Sequence, residues 1–359
     1  MTLDLTAHLK ELISTPGISG YEVPVRKIIT QAWQPLCDEL TISNLGSLQG
    51  LQCGEGPDPR PKVMIAAHMD AIGLMVTAIQ QGLLRFTQVG GVDPRILPGQ
   101  MVSVHATNDG SAAGRDIAGM VVMPPAFLLP AEAGHGSLEQ KYLLVDTGLR
   151  EAEVRRLVRV GDTISFAQEP LELAGGTICG HTLDNRASVA ALTVCLEVLS
   201  HRKHAWDVIA DATAQEEVGA IASFTDPVKI NPDFAIVIDV TFANGPGGGN
   251  WRDFDLGKAV PITWGANVHP ALYQAILQTA ELYEIPIYKD FAPGMSGTDA
   301  YGIQVAESGI PVVELGIPLR YMHTPVEIIS TRDVRRAGRL MAEFISDLPL
   351  DFMQSVKWE

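Results

Sequence analysis

The stretch VMIAAHMDAIG, residues 63–73, decides how the chain is read. Val63 to Ala67 form an unbroken apolar run, as a strand buried on both faces requires, and the run then presents His68 and Asp70. Side chains two apart on a strand share a face, so imidazole and carboxylate would lie side by side. Burying either without a partner is costly, so the end of this strand is a candidate for chemistry.

From Gly176 onward, strands and helices alternate. RASVAALTVCLEVLS reads as an apolar helix, DVIADATAQ and DFAIVIDVTF as strands, PALYQAILQTAELYEI as a helix and IPVVELGI as a strand. STRDVRRAGRLMAEFISDL follows as an amphipathic helix capped by Ser330. This alternation predicts an α/β fold, a sheet with helices on both faces. Near the start, MTLDLTAHLKELIST has acids among its leucines and no basic region, so it reads as an amphipathic helix and not as a signal peptide. The Pro16–Gly17 turn feeds a second helix.

Between Ile72 and Leu173 the texture changes. Short β-like pieces (LMVTAI, LLRFTQV, MVSVHA, GMVVM, DTISFA) are separated by GGVDPR, LPGQ, NDGS and VGD turns, with REAEVRRLV as the clear helix among them. The expectation is one α/β domain, residues 1–71 and 174–359, split by a small β-rich domain over 72–173.

The 359 residues are 46% hydrophobic and 19% charged, which suits a globular chain with a sizeable core. A formal net charge of -16 argues against nucleic acid or an anionic membrane as partner. No apolar run reaches the roughly 18 residues of a membrane span. Cys37, Cys53, Cys179 and Cys195 are scattered without a CxxC pair, as expected of reduced thiols in a cytoplasmic protein.

In an open α/β sheet, ligands bind beyond the carboxyl ends of strands. Apolar runs end there in metal-competent groups: His68 and Asp70, Glu216 and Glu217, Asp239, and His323. Asp184 stands just before a helix in TLDNRAS. Imidazoles and carboxylates without thiolate suit two divalent ions of zinc, cobalt or manganese type. Singly, each residue has an ordinary reading: a strand-end histidine is commonly a hydrogen-bonded core residue, Glu216 and Glu217 a solvated helix start, and Asp184 a cap. His323 before Thr324-Pro325 reads as a turn residue, and His181, His105 and His135 belong to the same ordinary class. Asp239 is harder to dismiss, because an acid closing the run FAIVI needs a cation or hydrogen-bond donors.

Other stretches carry less. GPGGGN, residues 245–250, lacks the GK[ST] of a phosphate loop, and GMSGT around Ser296 misses the G-x-S-x-G elbow of serine hydrolases. Adjacent Glu216 and Glu217 do not suit the roughly 5–9 Å separation of glycosidase carboxylates.

Taken together, TPGISGYE, AAHMDAIG, GGVDPRILPGQ, LDNRAS, QEEVG, the Asp239-Val240 pair, GMSGTDA and GIPLRYMHTPVE occur in an order that resembles the tetrahedral aminopeptidase family. These are dinuclear-metal exopeptidases that include glutamyl, lysyl, leucyl and deblocking aminopeptidases. The resemblance runs nearly end to end. It implies an α/β catalytic domain with a phosphorylase/hydrolase-like sheet, a PDZ-like insert, and dimers that build a hollow tetrahedral dodecamer. His68 and Asp239 match the ligands of one metal, Glu217 and His323 those of the other, and Asp184 the bridging carboxylate. Glu216 matches the general base and Asp70 the residue that orients His68. The implied reaction is hydrolysis of the N-terminal bond of short peptides through a water between two ions. A related dipeptidase, carboxypeptidase or deacylase would use the same residues, and a glycan hydrolase is a more distant alternative. The chain departs from the family pattern in AIASF after QEEVG, where arginine-glycine is usual, and at Ala187, where glycine is common.

Overall fold

The computed structural model describes residues 3–108, 114–129, 139–245 and 254–358. His135 and residues 246–250 of the glycine-rich stretch lie outside these. The described chain divides into two compact units: residues 1–70, 170–322 and 327–359 form the first, and 71–169 with 323–326 the second.

The first unit is built on an eleven-stranded sheet. At its centre Asp207–Thr213, Lys62–His68, Phe234–Phe242 and Val312–Arg320 lie side by side and parallel. Leu48–Gln52 and Glu39–Ile42 extend one side antiparallel, and Glu327–Ser330, Thr177–Gly180 and Leu171–Leu173 extend the other. Val260–Gly265 and Ile287–Ala292 form a parallel pair attached to Val312–Arg320.

Both faces of the sheet are covered, and the strand Lys62–His68 shows why its run had to be continuous. Val63, Ile65 and Ala67 pack on one face with Leu192 and Leu196 of the helix Leu183–Leu199, while Met64 and Ala66 pack on the other with Ile230 and Ile303. That helix is buried nearly all round, so its low amphipathicity reflects its position inside the unit. It packs against Thr331–Ser346, whose start is capped by Ser330 accepting from the Arg332 amide.

The second unit is a closed six-stranded antiparallel barrel: Gly73–Gln80, Leu83–Val89, Leu144–Asp146, Arg115–Val122, Met101–Ala106 and Thr163–Phe166. Closure leaves no free sheet edge, and Leu74, Val102, Val145 and Ile164 fill the interior. The boundary expected at Leu173 falls at Glu169, because Leu171–Leu173 pairs with Thr177–Gly180 in the large sheet. His323–Val326, expected in the α/β domain, groups with the barrel. Among the described residues, no helix is long and apolar enough to cross a membrane.

Helix contact in the first unit depends on Gly338. A Cβ there would lie 2.4 Å from the Ala191 carbonyl oxygen and 2.8 Å from Val194 Cβ. Helix propensity favours alanine over glycine by up to about 1 kcal/mol, whereas forcing the helices apart costs about 1–3 kcal/mol. Gly338→Ala should therefore destabilise the protein, read as a lower urea midpoint at unchanged slope; a raised midpoint would show that the close approach is unimportant.

Candidate metal centre

The sheet order creates the site. Among the four central strands, the one that follows Lys62–His68 in the chain, Asp207–Thr213, lies on one side of it, and the one that follows its neighbour Phe234–Phe242, Val312–Arg320, lies on the other. Adjacent strands with divergent connections open a crevice at their carboxyl ends. The register that sets Val237 beside Ala66 continues to bring Asp239 level with His68, and His68 Nε2 stands 3.8 Å from Asp239 Oδ1. On the other side His68 pairs with Thr213, after which the chain leads into Glu216 and Glu217. Asp184 enters from the first turn of Leu183–Leu199, where it departs from helical geometry and its peptide bond to Asn185 is cis. Its Oδ1 is 3.3 Å from His68 Nε2, and Glu216 Oε2 is 3.8 Å from the same nitrogen.

His68, Asp184 and Asp239 are all buried and offer donor atoms within 4.8 Å of one another. Asp184 is fixed through its backbone amide, which donates to Glu327 Oε2 at 3.1 Å, and Asn185 donates to the Ile238 carbonyl. Beneath them Asp70 is fully buried. Its Oδ1 accepts from the Glu216 amide at 3.0 Å, and its Oδ2 accepts from the Glu217 amide at 3.2 Å and from Ser19 Oγ at 2.6 Å. The same carboxylate lies 3.4 Å from His68 Nδ1. Asp70 thus orients the imidazole through its backbone carbonyl, 3.2 Å from Nδ1, together with its carboxylate, and its side chain holds the backbone of both glutamates.

The electrostatics follow from crowding several acids into a buried space. Burial raises the Glu216 carboxyl to about 7, with His68 opposing and Asp299, Asp70 and Asp184 adding to the rise. Burial, then Asp184, raises Glu217 to about 10. Asp239 is pushed well up by burial against the pull of His68. Burial disfavours the His68 imidazolium, yet the charges of Glu216, Asp184, Asp70 and Asp239 outweigh it and raise its pKa well above the ordinary value. Asp70 moves the other way: burial is outweighed by His68, Ser19 and the Glu216 amide, and its pKa falls. A cluster of this composition favours a multivalent cation, which would relieve the mutual repulsion.

The expected residues His68, Asp70, Asp184, Glu216, Glu217 and Asp239 therefore converge. His323 lies in the segment that groups with the barrel, in left-handed backbone at φ 60°, with its ring against Gly91, where a Cβ would come within 3.0 Å of Nδ1. His181 is buried and held neutral, its pKa lowered by burial and Arg186 to about 3, and His105 bonds Asp116 and Ser165 at the barrel surface.

The conserved-domain model of the M42 glutamyl aminopeptidases matches residues 50–340. The chain belongs to the M42 peptidase family. It is 33% identical over 349 residues to the lysyl aminopeptidase of Pyrococcus furiosus, covering 96% of this chain and 98% of that protein. Among solved structures, the TET aminopeptidase of a marine sediment archaeon of the Thaumarchaeota superposes with a TM-score of 0.89 at 27% identity, covering 98% of this chain and 99% of that one. The TET1 peptidase of Pyrococcus horikoshii, which can assemble into a tetrahedron or a large octahedral shell, superposes with a TM-score of 0.81 at 27% identity, covering 96% and 100%. As an M42 member, the chain is a peptide-hydrolysing enzyme of the aminopeptidase kind.

Two further charged groups, not marked by any strand end, support the centre. Asp299, in GMSGTDA, is buried with Oδ2 accepting from Thr213 Oγ at 2.5 Å. Arg186, in LDNRAS, is fully buried and donates to the carbonyls of Leu12, Thr15 and Met69. Unlike Asp239, neither closes an apolar run: Arg186 stands among Asp184, Asn185 and Ser188, and Asp299 among Ser296, Gly297 and Thr298, so only their burial in the fold marks them.

Replacing Asp70 tests its role as anchor apart from any metal. In chelator-treated protein Asp70→Ala should cost about 3–5 kcal/mol, because it leaves buried donors without their acceptor. The folded pKa of Asp70 is depressed, so its contribution is complete above its unfolded value of about 3.9 and is lost as pH falls through the folded value. The difference in urea stability between wild type and variant should be constant from pH 5 to 8 and shrink in stronger acid. A cost under about 1 kcal/mol throughout would remove Asp70 from this role.

Proposed function

We propose that this M42 enzyme removes the N-terminal residue of short peptides with two divalent metal ions, zinc or cobalt ahead of manganese. His68 and Asp239 would hold one ion, Glu217 and His323 the other, with Asp184 shared between them; His323 enters through its motif, GIPLRYMHTPVE. The observation that carries this reading is the buried convergence of His68, Asp184 and Asp239, imidazole and carboxylate donors within 4.8 Å of one another. This donor set fits borderline divalent ions, and the repulsion among its acids favours their binding.

Bound there, the ions would lower the pKa of a water and polarise the scissile carbonyl. Glu216, raised to about 7, is suited to take a proton from that water and return it to the departing amine. Asp70 holds His68 in the tautomer that directs Nε2 into the cluster and fixes the backbone from which Glu216 and Glu217 project. The neighbouring glutamates can then divide their work, one toward metal and the other toward substrate. The PDZ-like character of the barrel, its part in dimer contacts and assembly into a tetrahedral dodecamer belong to the same proposal, supported by the assembling TET relatives.

Glu216→Gln should keep metal stoichiometry and lose about 10²–10⁴-fold in turnover of aminoacyl anilides. Elemental analysis beside steady-state kinetics reads both quantities, and an active variant would remove Glu216 as the base. Asp184→Ala and His323→Ala should lower the metal content itself. Two ions per chain retained in both would overturn the ligand assignment. Activity that survives exhaustive chelation, or cleavage restricted to N-acylated substrates, would overturn the aminopeptidase reading as a whole.

A further inference from the structure

Beside Asp239 the first unit contains a cavity of about 450 Å3, lined by Asp239, Phe242, Thr263, Asp290, Met295 and Glu314 among others. Two acids in this cavity have no part in the metal cluster. Sheet register brings them there. Val237 pairs with Glu314 and Asp239 with Gly316, so Asp239 and Glu314 share a face across neighbouring strands, a diagonal of roughly 7–8 Å. Ile262 pairs with Leu315, which sets Thr263 beside Glu314, and Thr263 pairs with Asp290. Glu314 and Asp290 thus flank Thr263 on the face that carries Asp239, and Gly316, next to Asp239, places no side chain between.

Glu314 is an acid in the midst of an apolar strand, only 8% exposed, and its Oε2 has no hydrogen-bond partner. The hydroxyls of Ser296 and Thr298 face the carboxyl, while burial and then the charge of Asp290 raise it to about 7. A buried acceptor left in this state is costly unless something in the cavity meets it. A second carboxylate in the cavity would be repelled by both acids, and an apolar occupant would leave Oε2 of Glu314 without a partner. A cationic head would be received by both, with Phe242 and Met295 available to an aliphatic stem.

We propose that this cavity receives the side chain of the substrate's N-terminal residue and selects a basic one, lysine or arginine, with Glu314 and Asp290 as the specificity-determining residues. The inference rests on the aminopeptidase reading and adds the class of substrate.

The test compares kcat/KM for lysyl, arginyl, norleucyl and glutamyl anilides, norleucine matching the lysine stem without its charge. Wild type should favour lysyl over norleucyl at least tenfold and cleave glutamyl least. In Glu314→Gln the lysyl-to-norleucyl ratio should fall at least tenfold, and in Asp290→Asn by a smaller factor. A ratio does not depend on the fraction of active enzyme, and Asp290→Asn keeps the test decisive if Glu314→Gln folds poorly. A wild type that prefers norleucyl or glutamyl substrates, or a ratio unchanged in both variants, overturns the proposal. Calorimetric binding of free lysine and norleucine reads the same cavity without turnover, with lysine expected to bind at least tenfold more tightly in wild type only. Lysine selectivity without cleavage of any anilide would overturn the aminopeptidase reading and leave the cavity assignment standing, whereas equal binding overturns the cavity assignment.

Discussion

Asp70 is fully buried, and its one carboxylate meets the His68 ring, the Ser19 hydroxyl and the backbone amides of Glu216 and Glu217. An ionised group in that position is tolerable only because each oxygen is occupied by donors, and those donors depress its pKa despite burial. The surrounding site depends on this arrangement. It joins the end of one central strand to the loop after the next, so the imidazole and the two glutamates cannot shift independently. Above it, Glu216, Glu217 and Asp239 are pushed toward their neutral forms, with Asp184 adding to the repulsion. Asp70 is the fixed charge of the site, and the acids above it are those whose repulsion a bound cation would relieve.

A second buried charge serves the same end. Arg186 lies one turn into the helix that begins near Asp184, and its guanidinium is spent on main-chain carbonyls: Leu12 and Thr15 at the end of the first helix and Met69 between His68 and Asp70. Burial lowers its pKa to about 10, opposed by the charges of Asp70, Glu22 and Glu327. The first helix, the strand end and the start of the central helix are thereby tied together where carbonyls would otherwise be unsatisfied. Rigid placement of the donor set comes from these polar ties and the apolar core beneath them acting together.

Much of this organisation was legible in the sequence. Continuous apolar runs at Val63–Ala67 and Phe234–Ile238 marked strands covered on both faces, and the acid or imidazole closing each marked the carboxyl end of the sheet. Short alternating pieces between Gly73 and Phe166 marked the barrel, because a strand with one buried face writes a period of two. The boundary near Leu173 was less legible: Leu171–Leu173 reads as one more short strand, and only its hydrogen-bond partner shows to which sheet it belongs. Glu314 carries no local signal, because a single acid within VVELGI leaves the apolar pattern intact and nothing nearby in the chain says whether it faces solvent, a metal or a cavity.

The order of strands and helices, the β-rich stretch between two α/β stretches and the residues that end apolar runs are written in local periodicity and in the cost of burying polar groups. Which of those ends meet is set by the packing of the whole chain. The side-by-side placement of His68 and Asp239, the clasp of Asp70 on the Glu216 and Glu217 amides, and the row from Glu314 to Asp290 come from strand order and register. Both are long-range choices, set by how whole elements pack, and a linear pattern of residues does not encode them locally.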